Sequence, residues 1–116
     1  MENKKYDLEE RTSKFGINII QFCKTIKQDV ISKPIINQLV RSGTSIGANY
    51  MEANSASSRK DFKNKIHICK KESQETMYWL KIVVEYDSSK KEHAKVLYQE
   101  AQELTFIFGK IISSMK

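Results

Sequence analysis

Proline is almost missing from this sequence: Pro34 stands alone among 116 residues, and glycine occurs only four times. So little punctuation argues against a many-stranded architecture, whose turns draw on both residues, and for a few long helices. Cysteine occurs twice, as Cys23 and Cys69. Two cysteines neither staple a disulfide scaffold nor complete a metal site, and each falls on an apolar helical position where a thiol behaves as a small hydrophobe. His67 and His93 have no second ligand three or four residues away, so neither a metal nor any cofactor is expected. Phosphate-binding loops, dinucleotide fingerprints and nucleophile elbows are all missing, as is any acid–base or nucleophile constellation that would mark an enzyme. No apolar run approaches the roughly 18 residues of a membrane span, and the opening MENKKYDLEE lacks the apolar core of a signal peptide. The expectation is a cytoplasmic protein without membrane contact, with residues 1–116 forming one domain.

Four stretches of apolar residues spaced three and four apart predict an all-α, antiparallel, up-down-up-down four-helix bundle. The first runs from Tyr6 to Asp29 and carries Leu8, Thr12, Phe15, Ile19, Phe22 and Ile26 on one face, with Gly16 weakening it by about 1 kcal/mol relative to Ala. Ser32, Lys33 and Pro34 mark a break, with Pro34 in the first turn of the second helix, where its missing N–H costs nothing. A Ser58–Asp61 cap opens the third helix, which continues to Tyr86 along Phe62, Ile66, Cys69, Ser73, Met77, Leu80 and Val84. Ser89 and Glu92 form a capping box for the fourth, with Ala94, Leu97, Ala101, Leu104, Phe108, Ile111 and Met115 as its stripe. Phe106 and Ile107 fall off that stripe.

The second helix holds the least ordinary segment, RSGTSIGANYMEANSASSRKDF. At about 100° per residue, Gly43 and Gly47 join Ile35, Ile36, Leu39, Val40, Ile46 and Tyr50 on the core face, one turn apart. Glycine inside a helix is unfavourable, so its use here points to close approach of another helix. The opposite face reads Arg41, Ser45, Ala48 and Glu52, flanked by Thr44 and Asn49. That face is either solvated or a flat surface on which another subunit lies. Helix three adds a second seam of Ile68, Glu72, Glu75, Trp79, Ile82 and Tyr86. One apolar face suffices for a monomeric bundle, and a second that holds the only Trp argues for burial between subunits. Arg41, Ser45, Ala48, Glu52, Ile68, Trp79, Ile82 and Tyr86 are therefore the candidate oligomer interface.

Charge is unevenly spread. In SRKDFKNKIHICKK, Arg59, Lys60, Lys63, Lys65, Lys70 and Lys71 face one acid, Asp61, a net +5 in fourteen residues of a chain whose total is +6. Such a run is either a solvated helix face or a patch whose field attracts phosphate backbones and weakens steeply with salt. With no aromatic platform interleaved, base stacking and sequence reading are not expected of it.

The segment VRSGTSIGANYMEANSASSRKDFKNKIHICKKESQETMYWLKIV resembles the bacterial 23S rRNA intervening-sequence protein family. Arg41, Ser42, Ser45, Ile46, Asn49, Glu52, Lys60, Asp61 and Phe62 match its signature. Gly47 stands where many relatives have Pro, and Ala53 where they have Gly. The resemblance implies a homopentameric ring of bundles. It also implies kinship with a similar accessory protein of diversity-generating retroelements, a basic pentamer that binds a reverse transcriptase and nucleic acid. Two function classes follow: a nucleic-acid-binding oligomer gripping RNA or DNA through residues 59–71, and an adaptor whose basic face meets a partner protein such as a reverse transcriptase.

Overall fold

The buried stripe Leu8, Thr12, Phe15, Ile19 and Phe22, none more than 2% exposed, turns the first helix inward along its whole length. The computed structural model describes residues 7–115, in which four helices pack around that stripe. They are α1 (Leu8–Cys23), α2 (Ser32–Asn54), α3 (Arg59–Tyr86) and α4 (Lys91–Ser113), with a 3-10 turn at Ser88–Lys90 before the last. The fold is an all-α four-helix bundle.

Cross-helix contacts fix the order and direction. Gly16 faces Thr44 and Gly47 faces Thr12 between α1 and α2. Between α2 and α3, Cys69 Sγ lies 3.5 Å from the Ile46 carbonyl and Lys65 Nζ 2.8 Å from Glu52. Thr105 of α4 reaches Ser73 at 3.0 Å, and Lys63 of α3 reaches the carbonyl of Met115 at 3.3 Å. Arg11 bonds Glu100 at 2.7 Å, and Phe22 packs edge-on to His93 at 4.8 Å, closing α1 on α4. In each pair, numbers rise on one helix as they fall on the other, so sequential neighbours run antiparallel, as short connections require. One end of the bundle therefore gathers the C-termini of α2 and α4 with the N-terminus of α3; the other gathers the α1–α2 and α3–α4 connectors.

The structure corrects several expected boundaries. The expected start at Tyr6 lies outside the described residues. Helix α1 stops at Cys23 instead of reaching Asp29, because its last turn tightens: Thr25 and Ile26 donate to the Phe22 and Cys23 carbonyls, three residues back. Asp29 instead organises the start of α2, its Oδ1 accepting the Ile31 and Ser32 N–H groups at 2.9 and 2.8 Å. Pro34 sits in the first turn of α2, as expected. Ser58 accepts the Asp61 N–H at 3.0 Å and opens α3. The Ser89–Glu92 capping box does not form, because Asp87 caps that turn by accepting the Ser89 N–H at 3.0 Å. In the stripe of α3, Thr76 and Val83 take the buried places expected for Met77 and Val84. Met77 turns toward α4, where the Thr105 hydroxyl approaches its sulfur at 3.8 Å.

A polar layer crosses the middle of the core. Thr76 Oγ1 lies 2.9 Å from Ser42 Oγ and 2.8 Å from the Glu72 carbonyl. Ser73 lies 3.0 Å from Thr105, which also reaches the Ala101 carbonyl at 2.8 Å. Buried hydroxyls are costly only when unpaired, and among the described residues no buried side-chain polar atom lacks a partner. None of the helices is long and apolar enough to cross a membrane.

Candidate nucleic-acid interface and assembly surface

Helix α3 distributes its six basic residues around its axis. At about 100° per residue, Arg59, Lys63 and Lys70 cluster on the side toward α4, Lys60 and Lys71 point further round, and Lys65 faces α2. Their partners follow from that placement. Lys65 is held by Glu52, which also raises the lysine pKa above its ordinary value. Lys63 Nζ donates to the Met115 carbonyl, and Lys70 passes about 4 Å from the place a Cβ would take on Gly109. Arg59, Lys60 and Lys71 remain exposed. Asp61, the one acid of the segment, stands about 100° beyond Lys60 and about 200° beyond Arg59, on the side of Lys65. The end of the bundle thus presents Arg59 and Lys60, neither with an ion-pair partner among the described residues, with Lys63 a turn further on. Beside them, Tyr50, Arg59, Phe62, Ile111, Ser114 and Met115 line a cavity of about 440 Å³.

The candidate assembly residues divide between two surfaces. On the α2–α3 side, Arg41 bonds Glu72 at 3.2 Å and also Glu75, and the Trp79 indole N–H donates to Glu75 at 3.1 Å. Burial pushes the Glu75 carboxyl up, but the indole and the guanidinium outweigh it and hold the pKa below its ordinary value. Glu72, at 8% exposure, lies under this network, an arrangement a carboxylate tolerates only with a charged partner. Glu52 and Lys65 continue the same face. Ser45 and Ile68 lie between the two pairs in sequence and are half-buried. Ala48 lies elsewhere, in a groove of about 210 Å³ between α1 and α2 with Gly16, Ile17, Ile20, Thr44 and Gly47. Ile82 lines the α3–α4 groove. The Tyr86 hydroxyl donates to Asp29 at 2.5 Å within the same chain, tying the end of α3 to the α1–α2 connector.

Arg41 and Ser42 open the signature stretch of α2, and both act across the α2–α3 contact, one on Glu72 and Glu75, the other on Thr76. The profile of the 23S rRNA-intervening sequence protein family matches residues 4–110. The chain belongs to that family. A solved member-like structure agrees: a protein of unknown function from the S23 ribosomal protein family of Bacteroides thetaiotaomicron is 33% identical, with a TM-score of 0.80, over 90% of this chain and 96% of its own. Among curated proteins, none matches. Membership in the 23S rRNA-intervening sequence protein family accounts for the bundle and for the α2–α3 signature.

One concentration of charge escapes a reading by sequence runs. Lys81 of α3 and Lys91 and Lys95 of α4 converge on the α3–α4 groove, with Tyr78, Glu85 and Tyr98. The signal was present as Lys91 and Lys95, four residues apart and so on one helix face. Lys81 joins them only because α3 and α4 fold back on each other.

Proposed function

We propose that this member of the family is a non-enzymatic, self-assembling protein that binds the phosphate backbone of RNA or DNA through Arg59, Lys60 and Lys63. The observation that carries the reading is the exposure of Arg59 and Lys60 at the start of α3, clear of any carboxylate partner among the described residues. Cations already neutralised by a carboxylate, such as Lys65 with Glu52, contribute little to a phosphate contact, whereas Lys63, bonded to a neutral carbonyl, keeps its charge uncompensated. Uncompensated ones release counterions from nucleic acid when they bind, which gives sequence-tolerant, salt-sensitive affinity. Lys70 and Lys71 add to the surrounding field. Each chain supplies few such contacts, so assembly multiplies them by effective concentration. The Arg41–Glu75–Trp79 face and the exposed Ile17, Ile20 and Met51 near Ala48 are the surfaces proposed to meet other subunits, with a homopentamer as the proposed assembly.

Retention on immobilised double-stranded RNA and double-stranded DNA at low salt tests this reading. Arg59→Glu with Lys60→Glu adds acids to the first turn of α3, a placement that favours the helix, so the fold is kept. The pair is expected to abolish retention without changing particle size. Undiminished retention of the variant, or no retention of the parent, would overturn the reading; specific co-purification of one partner protein in that case would favour an adaptor.

A further inference from the structure

We propose that the groove between α3 and α4 is a second binding site, one that takes single-stranded nucleic acid by its bases. It lies roughly 30 Å along α3 from Lys60, at about 1.5 Å per residue, and does not depend on the Arg59 end. Its volume is about 410 Å³, and its floor is Leu80, Ile82, Val84 and Ala94. That volume falls within the range of clefts that bind small ligands.

Three kinds of group meet there. Lys81, Lys91 and Lys95 are exposed, against one acid, Glu85, and none of the three lysines has an ion-pair partner among the described residues. The groove is therefore suited to a polyanion. Tyr78 and Tyr98 flank it, and the α3–α4 register set by Ser73 with Thr105 brings them within about one helical turn of each other. Tyr78 is 54% exposed, with its ring edge-on to Trp79 at 4.9 Å, and is the ring that stands clear; Tyr98 is half-buried against the core and lines the groove wall. Neither hydroxyl engages a described residue. A groove that follows a backbone with lysines and offers aromatic faces to successive bases is the arrangement by which proteins hold single strands without reading sequence. A duplex, whose bases are already stacked, gains nothing from the tyrosines. An acidic helix of a partner protein would use the charge and the apolar floor but not the two phenol rings, and this favours the nucleic acid.

A short oligonucleotide carrying 2-aminopurine, presented as a single strand and as a duplex, tests the proposal. Titrating the parent protein into the single strand should change the fluorescence of the probe base and bind it more tightly than the duplex. Tyr78→Leu with Tyr98→Leu keeps apolar side chains in place and should lose that fluorescence change. It should also weaken single-strand affinity by at least about 5-fold, the smallest effect of losing one base–aromatic stack. Lys81→Gln with Lys95→Gln should weaken binding through charge alone, guarding against a tyrosine variant that misfolds. The Arg59→Glu, Lys60→Glu protein should retain the fluorescence change, so failure of the end site and failure of the groove are told apart. A parent that leaves the probe base unperturbed would overturn the proposal, as would tyrosine variants that bind the single strand like the parent. A change of particle size in the tyrosine or lysine variants would assign the groove to a second copy of the chain instead.

Discussion

Gly43 shows how much a missing methyl group can matter. A Cβ added there would stand 2.9 Å from Ile19 Cγ1, at the stem of a fully buried, β-branched side chain that cannot swing away. At Gly47 the obstacle is the backbone of Thr12 at 3.3 Å. Both glycines were legible in the sequence as sites of close approach; that α1 of the same chain is what approaches was not. Gly16 completes the contact from α1, with Thr44 Cα at 3.4 Å, where the sequence suggests only a weakened helix. Gly109 differs, because a Cβ there meets nothing nearer than Lys70 Cε at 3.9 Å. Gly109→Ala should therefore raise stability by about 1 kcal/mol through helix propensity. Gly43→Ala should lower it by about 1–3 kcal/mol through overpacking, despite the same gain in propensity. Urea melts of the two variants against the parent check both signs. The cysteines give a second residue-scale prediction. Burial pushes the Cys23 thiol up to about 11 and Cys69 up to about 12, so both are protonated and covered at neutral pH. A thiol-reactive dye should label neither in the native protein and both in denaturant.

The helices themselves were legible because three-four apolar spacing survives any tertiary detail, whereas their ends depend on single hydrogen bonds. Nothing in QFCKTIKQDVISKP announces that Asp29 turns from the end of one helix into the cap of the next. The Tyr86 hydroxyl, 57 residues away, and the N–H of Ser32 hold the Asp29 carboxyl below its ordinary pKa. A group depressed in the folded state contributes stability that is fully present above its unfolded value of about 3.9 and is lost as pH falls through the folded one. Asp29→Asn should therefore melt lower than the parent at pH 7, with the difference shrinking once the pH drops below about 4. A gap of constant size from pH 7 to pH 2 would contradict that assignment. The α3 stripe was misread for a different reason. The expected stripe takes a second step of four from Ser73 to Met77 and so ends one place late at Val84. The buried residues Ile66, Cys69, Ser73, Thr76, Leu80 and Val83 instead keep a strict three-four alternation, the repeat by which helices of a bundle stay in contact.

For the molecule as a whole, the sequence announced a net +5 in one segment of α3 but not where each cation would go. Long side chains reach neighbouring helices, and tertiary structure alone decides that Lys65 meets Glu52 while Arg59 and Lys60 meet water. The same folding gathers Lys81, Lys91 and Lys95, which no local count could join. Assembly belongs to this scale too. Light scattering at micromolar concentration should report a particle several times the 13.5 kDa chain, and a monomer there would remove the proposed subunit contacts. The most direct measurement is the affinity for a short duplex of arbitrary sequence, followed by fluorescence anisotropy across a salt series. If Arg59, Lys60 and Lys63 neutralise phosphates, log affinity should fall against log salt with a slope of about 0.9 for each phosphate neutralised. Arg59→Glu with Lys60→Glu should remove about two such increments for each engaged chain. An affinity that ignores salt, or the same slope in parent and variant, would contradict the account.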